Sequence, residues 1–385
     1  MLTTKTLAFS LTLLLFTNTI YAKPITVEEH RLKKAVKVMP NVTTALSYRV
    51  SLFKEQIQIA RNLTALSQLS IRHGKALWQG AKHDLKNTDS YDDRPLYWAR
   101  LQMTKAIKQT DAYKQSLPDQ QQKLMWQFEL YSRGKTDVTF DRYTHKKILI
   151  TGFDPFLLDS NIKQSNPSGV SALILDDLVI STKSTSAEIE TLILPVRFAD
   201  FDQGMIEELL TPYYRSKAVD MIITISMGRS SFELERFPGL RRSSTTPDNL
   251  NVLTGATKES PLLPLLNRSE LKGAEFLEFT LPANEMKMAK GFFPVKDNRI
   301  VSTLNRTFKV DALAQLLSEV SVEGSGGGYL SNEVSYRSLL LRDLYNPLLP
   351  VGHIHTPSIK GHDKQKIELI IAQLKTILTQ AVTTL

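Results

Sequence analysis

The sequence predicts an α/β protein, with an open, mainly parallel twisted sheet flanked by helices and preceded by a helical N-terminal region. Two patterns carry this prediction. From residue 146 onward, short apolar runs rich in β-branched residues alternate with amphipathic stretches, which is typical of a parallel sheet. Before that residue, apolar side chains recur near a period of 3.6, which is typical of helices. The length of 385 residues also favours two domains.

Four apolar runs predict the buried strands of the sheet. They are KKILITGF at 146–153, IETLILPV at 189–196, DMIITISM at 220–227 and VGHIHTP at 351–357. Each is a short run without strict alternation, as expected for a strand that is covered on both faces.

Helices are predicted between and after these strands, at 169–178, 199–216 and 363–382. Because ligand sites in such sheets form at the carboxyl ends of the strands, the loops at those ends are where chemistry is expected. They are the loops after Phe153, Met227, Glu323 and His355.

The region before the sheet, residues 23–145, is predicted to be a helical domain. One amphipathic stretch ends at Gly74, a second begins near Asp92, and a third runs from Pro118 to Gly134. The sequence assigns this region no chemistry.

The same region is basic. Residues 23–146 contain 22 Lys and Arg against 12 Asp and Glu. Such an excess of positive charge can bind nucleic acid or an anionic envelope surface. The basic residues are scattered along the helices, however, which favours a solvated surface, and we expect no nucleic-acid partner.

The first 22 residues predict a targeting signal that is cleaved. Lys5 precedes the apolar run LAFSLTLLLF, which is too short to span a membrane, and Ala22 stands before a plausible cleavage point. We therefore expect an exported mature chain, periplasmic or secreted, which begins near Lys23 and has no membrane span.

Cysteine is absent from the sequence. This excludes disulfides, thiolate metal sites and a thiol nucleophile. The histidines and carboxylates show no spacing typical of a metal site, and no complete dinucleotide fingerprint is present. We expect the protein to need neither a metal nor another cofactor.

A glycine run followed closely by a serine is the first candidate for chemistry. In GSGGGYLSNEVSYRSLLL, residues 324–341, Ser331 stands near the first turn of a predicted helix, where free backbone N–H groups and the positive end of the dipole collect. A nucleophile at that place would have amides nearby to stabilise an oxyanion. An ordinary helix N-cap is the alternative interpretation.

A serine nucleophile requires a general base and a carboxylate that orients it. His353 and His355 share a face of their predicted strand, and His355 stands at its end, where a base can reach a loop. The segment GRSSFELERFPG offers Glu233 and Glu235 as the carboxylate. Periodicity alone does not choose between these two glutamates.

Several short motifs stand in a fixed order along the second half of the chain. KILITGFDPF and SNPSG come first, GRSSFELER and PDN follow, and GGGYLSN and GHIHTP come last. Together they resemble the pyroglutamyl peptidase I (pyrrolidone-carboxylate peptidase) family, over roughly residues 146–384. The resemblance implies that Glu235 and His355 match the family's catalytic glutamate and histidine, and that Ser331 takes the place of its catalytic cysteine.

The resemblance also implies a substrate pocket. Phe153 and Phe156 match aromatic residues of the family, Tyr329 replaces a phenylalanine, and Asn166 falls in the Asn-Pro-Ser segment. With Leu330, these residues are expected to bind the substrate. A pyrrolidone ring is flat and apolar with one amide edge, which suits such a lining.

Some positions depart from the family. Thr245 stands where the family has an arginine that helps to bind the transition-state oxygen, and Thr224 with Ile225 replaces a Gly-Gln pair. Residues 250–320 are diverged and hold an insertion, and the helical N-terminal region has no counterpart in the short members. The hydroxyl of Ser331 has a far higher pKa than a thiol, so it must lose its proton during attack.

Two functions therefore stay open. The first is an exported hydrolase that cleaves an N-terminal pyroglutamyl or similar blocked residue from a peptide or small amide through a Ser-His-Glu relay. The second is a catalytically inactive pseudopeptidase that acts as a binding or scaffold protein. The sequence does not give the oligomeric state.

Overall fold

The computed structural model describes residues 25–141 and 146–385, so the predicted targeting signal lies outside the described residues. The first of these ranges is helical. Its helices are α1 (Val27–Val38), α2 (Pro40–Thr44), α3 (Ser47–Gln58), α4 (Leu63–Asn87), α5 (Arg94–Gln109), α6 (Asp111–Lys114) and α7 (Pro118–Tyr131). The prediction of a helical N-terminal region is confirmed.

The second range contains the sheet and its covering helices. The strands are β1 (Lys146–Phe153), β2 (Leu178–Ser181), β3 (Ser186–Leu194), β4 (Met221–Met227), β5 (Phe232–Glu235), β6 (Leu265–Leu266), β7 (Ser269–Glu270), β8 (Val295–Asn298), β9 (Ile300–Thr303), β10 (Thr307–Lys309), β11 (Ser321–Glu323) and β12 (Val351–Thr356). The helices are α8 (Pro167–Leu175), α9 (Phe198–Asp202), α10 (Met205–Ser216), α11 (Ala283–Met286), α12 (Leu330–Tyr345) and α13 (Lys364–Val382).

The main sheet has seven strands in the order β2-β3-β1-β4-β12-β5-β8. Its centre is parallel, because β1 pairs in parallel with β3 and β4, and β4 with β12. Only β2 against β3 and β5 against β12 are antiparallel within this sheet. The predicted mainly parallel α/β fold is thus confirmed, and all four predicted strands lie in it.

Two predicted helix boundaries are wrong. Helix α4 does not end at Gly74 but continues to Asn87. An added Cβ at Gly74 would lie 3.3 Å from the Ser132 nitrogen, so the glycine lets α4 pack closely against the end of α7 instead of ending the helix. The stretch predicted as one helix at 199–216 is two, α9 and α10, which are separated at Gly204.

One hydrophobic core joins the helical region to the sheet. The same cluster of buried side chains contains Phe53, Trp78 and Leu124 from the helices and Ile148 and Leu192 from the strands. The helices therefore cover part of the sheet, and burial of this shared apolar surface stabilises both parts together.

The diverged segment extends the sheet and adds a second one. Strand β8 joins the edge of the main sheet beside β5, while β9, β10 and β11 form a separate antiparallel sheet. This addition lies next to the carboxyl end of β5, where the candidate carboxylate Glu235 is found. Among the described residues, no helix is both long enough and apolar enough to cross a membrane.

Candidate active site

The carboxyl ends of β1, β4 and β12 lie at one edge of the sheet, because these three central strands are parallel. Phe153 ends β1, Met227 ends β4, and His355 stands one residue before the end of β12. Strand β5 runs antiparallel to β12, which is its neighbour in the sheet, and ends at Glu235. Residues far apart in sequence are thereby brought to one edge.

His355 and Glu235 form a close hydrogen-bonded pair. The distance between His355 Nδ1 and Glu235 Oε1 is 2.6 Å, and both side chains are buried. Burial raises the pKa of Glu235 above its usual value, while the charge of His355 and their hydrogen bond act in the opposite direction. This is the arrangement in which a carboxylate orients an imidazole and stabilises its protonated form.

Asn298 completes the surroundings of the carboxylate. Its side-chain Nδ2 donates to Glu235 Oε2 at 2.9 Å and to the Ser325 carbonyl at 2.8 Å. Sequence pattern does not identify this residue, because it lies on β8 in the diverged segment and belongs to no motif. Only the pairing of β5 with β8 puts Asn298 opposite Glu235.

Glu233 has a different set of partners. Its carboxylate accepts from Arg229 Nε at 2.9 Å and from Ser231 Oγ at 3.4 Å. The choice that periodicity left open is therefore made by geometry, since Glu235 and not Glu233 is hydrogen-bonded to His355.

A glycine gives the His355 side chain its space. An added Cβ at Gly228 would lie 2.5 Å from His355 Cβ and 2.7 Å from its Cγ, which is shorter than any real contact. Gly228 also donates its backbone N–H to the Thr356 carbonyl at 2.8 Å. The Gly-Arg motif after β4 therefore has a packing function, because a larger residue at its first position would displace the histidine.

The second ring nitrogen of His355 is available. Within residues 25–141 and 146–385, His355 Nε2 has no hydrogen-bond partner. A general base needs a free ring nitrogen of this kind to accept a proton. Nδ1 is held by Glu235, so Nε2 is the nitrogen that can accept a proton from a nucleophile.

Ser331 lies in the first turn of α12, as predicted, and is partly exposed. Its hydroxyl donates to the Gly326 carbonyl at 3.4 Å, and the structure shows no hydrogen bond from it to His355. Gly326 also lies beside the imidazole, since an added Cβ there would be 3.5 Å from His355 Cε1. The histidine and glutamate are thus paired with each other, while Ser331 is hydrogen-bonded to a glycine that lies beside the histidine.

Backbone donors are available beside Ser331. Helix α12 begins after Tyr329, which makes no side-chain cap hydrogen bond. The first N–H groups of a helix have no partner within it, and the dipole of this sixteen-residue helix adds partial positive charge there. Such donors suit an oxyanion that develops next to the serine. Thr245, at the position of the family's arginine, is exposed to solvent.

His353 has a structural environment instead. It is fully buried, and the centre of its ring lies 4.8 Å from that of His355. Its Nδ1 lies 2.8 Å from the Thr224 hydroxyl, and its Nε2 lies 2.8 Å from the Ser226 hydroxyl. Burial, and secondarily the charge of His355, lowers the pKa of His353 well below its usual value. The neutral form of His353 is therefore favoured, and Thr224 is one of its two hydrogen-bond partners.

A small apolar cavity opens beside the serine. Its volume is ≈ 40 Å³. Its lining consists of Phe153, Phe156, Asn166, Val196, Ser226, Met227, Tyr329, Leu330 and Ser331. All five residues that we expect to bind the substrate share this cavity with Ser331, and their contact with a substrate stays a prediction.

Two of the lining residues are fixed by hydrogen bonds. The Asn166 side chain caps α8, since its oxygen accepts from the Ser168 nitrogen at 3.1 Å, and its Nδ2 donates to the Asp154 carbonyl at 3.0 Å. The Tyr329 hydroxyl donates to the Pro247 carbonyl at 2.9 Å. These bonds hold the wall of the cavity in place and leave its apolar surface facing inward.

The helical region holds the turn at the end of β1, which carries the two phenylalanines of the cavity. Arg100 Nη1 donates to Asp154 Oδ1 at 2.9 Å, and Arg133 Nη1 lies 2.7 Å from Asp154 Oδ2, all three residues being buried. Asp154 stands between the two phenylalanines of the FDPF turn. Removing the Asp154 carboxylate would leave the buried Arg100 without a salt-bridge partner among the described residues, which costs about 3–5 kcal/mol.

Asp93, at the start of α5, supports the second loop of the cavity. It accepts from Ser165 Oγ at 2.6 Å and from the Asn166 nitrogen at 3.1 Å. Burial, together with the neighbouring charge of Asp92, raises the pKa of Asp93 well above its usual value. The sequence predicts no chemistry for the helical region, and the structure shows that this region holds two of the loops that line the cavity.

The carboxylates of Glu233 and Glu235 and the ring of His355 also form a group that could hold a cation, with ligand atoms within 4.8 Å of one another. Each of the three side chains already has a protein partner. Asp176, Asp177 and Glu190 form a second such group, and Lys82 Nζ pairs there with both aspartates.

Models of one protein family match both parts of the chain. The model described as PA0049 N-terminal domain matches residues 17–129, and that described as PA0049, C-terminal domain, matches residues 147–285 and 295–360, which is more than half of the chain. The uncharacterized protein PA0049 of Pseudomonas aeruginosa is 27% identical over 387 residues, covering 77% of this chain and 70% of that protein.

Solved structures of pyrrolidone carboxyl peptidases are also similar. A variant of the enzyme from Pyrococcus furiosus is 23% identical and covers 62% of this chain and 99% of its own, with a TM-score of 0.44. The enzyme from Thermococcus litoralis is 20% identical and covers 62% of this chain and 94% of its own, with a TM-score of 0.42. A likeness of this size carries nothing about the reaction of this chain.

Proposed function

The chain belongs to the PA0049 family, and we propose that it is an exported hydrolase that removes an N-terminal pyroglutamyl or similar blocked residue. The observation that carries the proposal is the 2.6 Å pair of His355 and Glu235 next to Gly326, whose carbonyl accepts a hydrogen bond from Ser331 in the lining of the apolar cavity. The order of the sequence motifs supports the same substrate class. Export rests on the predicted targeting signal alone.

In the proposed reaction the blocked residue occupies the cavity and presents its carbonyl carbon to Ser331. The Ser331 oxygen attacks that carbon while its proton passes to His355 Nε2. Glu235 stabilises the imidazolium that forms, and the first N–H groups of α12 stabilise the oxyanion. His355 then gives the proton to the leaving amine, which departs as the carbon–nitrogen bond breaks.

The resulting ester on Ser331 is hydrolysed by water in the reverse sense. Water gives a proton to His355 Nε2 and its oxygen attacks the acyl carbon. The ester bond breaks, Ser331 regains its proton from His355, and the blocked residue leaves as a free carboxylic acid.

Before attack, the serine must turn from Gly326 toward His355. The present hydrogen bond to the Gly326 carbonyl is long, at 3.4 Å, so its loss costs little. Catalytic hydrogen bonds are often loose without substrate and shorten when it binds.

A pseudopeptidase is the second candidate, and the same serine favours it. If the hydroxyl of Ser331 stays on Gly326 when a ligand binds, the cavity holds a blocked peptide end without cleaving it. The pair of His355 and Glu235 would then serve only to bind the amide.

The test is turnover of a pyroglutamyl chromogenic amide by the mature chain. We expect release of the chromophore, together with an intact-mass increase of one pyroglutamyl group when the reaction is quenched early. Binding of the amide without release or acylation would support the pseudopeptidase instead. If the amide is neither bound nor cleaved, blocked N-terminal residues are excluded as ligands in both proposals.

A further inference from the structure

A larger cleft opens beside the Glu235 carboxylate. Its volume is ≈ 640 Å³. The lining residues come from β5 and β8 of the main sheet, from the separate sheet of β9, β10 and β11, from the glycine run before α12, and from the loops that carry Arg229 and Lys258. Most of this cleft is therefore made by the diverged segment, which no motif of the chain explains.

The cleft and the apolar cavity are the two sides of one site. Asn298 lines the cleft and donates to Glu235 Oε2 at 2.9 Å. Gly327 also lines it, and four residues later Ser331 lines the cavity. Glu235 is thus hydrogen-bonded to a residue of the cleft lining, and His355 pairs across the sheet with Ser226 of the cavity lining.

A peptide held by its blocked end has to continue into open space. The cavity, at ≈ 40 Å³, leaves no room for a second residue beside the blocked one. The residues that follow the cleaved bond must therefore lie outside it, and the cleft is the large open space next to the relay.

The charges of the cleft are unbalanced. Three of its cations are paired with its own carboxylates: Arg229 with Glu233, Lys258 with Glu323, and Arg299 with Asp297, each at 2.9 Å.

Two further cations line the same cleft. They are Lys296 and Lys309, both exposed, and neither has an ion-pair partner within the part of the chain that the structure describes. Positive charge is thus left over where the leaving part of a substrate would lie, and it favours an anionic ligand.

We propose that this cleft binds the residues that follow the cleaved bond, and that Lys296 and Lys309 select acidic side chains there. The inference rests on the proposed function, because it takes the bond to be cut at Ser331. The ligand class is an acidic peptide behind the blocked residue. We expect carboxylates at the second and third positions of such a peptide, counted from the blocked residue, to meet these lysines.

The experiment compares two peptides, pyroglutamyl-Glu-Glu-amide and pyroglutamyl-Gln-Gln-amide, which differ in charge and hardly in shape. We expect kcat/KM of the wild-type chain to favour the acidic peptide about tenfold, as two exposed ion pairs allow. High salt should reduce the ratio, because these lysines are exposed. In Lys296→Gln/Lys309→Gln the ratio should fall close to one.

The matched control is Lys37→Gln/Lys54→Gln, which removes the same charge from exposed positions on α1 and α3. It should keep the wild-type ratio. Equal rates for the two peptides in the wild-type chain, or a preference that survives in Lys296→Gln/Lys309→Gln, would overturn the inference and leave the proposed hydrolysis standing.

A binding measurement separates the two proposals. Fluorescence anisotropy of a labelled tetraglutamate peptide should show binding to the wild-type chain and clearly weaker binding to Lys296→Gln/Lys309→Gln. If no peptide is hydrolysed but this difference is found, the proposed function fails and the acidic ligand class of the cleft stands. Absence of tetraglutamate binding to the wild-type chain would count against the cleft.

Discussion

Ser331→Ala is expected to lower kcat for a pyroglutamyl amide by roughly 10⁴–10⁶-fold, because the variant has no oxygen to attack the carbonyl. What remains should be the background that the oxyanion donors and substrate binding provide. The measurement is initial rate at saturating substrate, with a thermal melt of the same sample to show that the fold is kept.

Ser335→Ala is the matched control for this change. Ser335 lies one turn further along α12, is buried, and its hydroxyl has no hydrogen-bond partner among the described residues. It should keep wild-type activity. Equal rates in the wild-type chain and Ser331→Ala would exclude Ser331 as the nucleophile.

Glu235→Gln is the second change with a large expected effect, a loss of about 10⁴-fold in kcat. The amide has nearly the same shape but carries no charge, and its NH₂ group can donate to His355 Nδ1. His355 would then hold its proton on Nε2, where a base must be free. The rate should fall with little change in the melting temperature.

Glu233→Gln provides the comparison. This glutamate lies near the same histidine but pairs with Arg229, through an exposed guanidinium, so a change of a few-fold at most is expected. If the two glutamine variants lose activity equally, the proposal that Glu235 orients His355 is wrong.

Much of the architecture could be predicted from local pattern. The four strands were predictable because each is a short, continuous apolar run, and the closing helix α13 because its apolar residues repeat at helical spacing. The boundary at Gly74 was wrong because glycine marks both a helix end and a close helix contact, and sequence pattern does not separate these.

The site could be predicted only where a motif marks it. Ser331 and His355 stand at a predicted helix start and strand end, but the choice of Glu235 over Glu233 needed either the family resemblance or the geometry. Asn298 could not be found, because its contact with Glu235 depends on the pairing of two strands that are 63 positions apart.

The support from the helical region was also beyond prediction. Asp93, Arg100 and Arg133 are separated from the loops they hold by 21 to 73 positions in the sequence. They read as ordinary charged residues of amphipathic helices, and only the packing of those helices on the sheet buries them. The basic excess of this region is therefore partly used inside the protein.

The most direct test of the account is whether His355 can take a proton from position 331. The chain has no cysteine, so Ser331→Cys carries a single thiol whose alkylation by iodoacetamide can be followed against pH. We predict that the alkylation rate of Ser331→Cys rises with a midpoint clearly below the ordinary thiol pKa of about 8.5. In Ser331→Cys/His355→Ala the midpoint should return to that value or above. Identical profiles in the two variants would show that the imidazole does not reach this position, and the proposed relay would be contradicted.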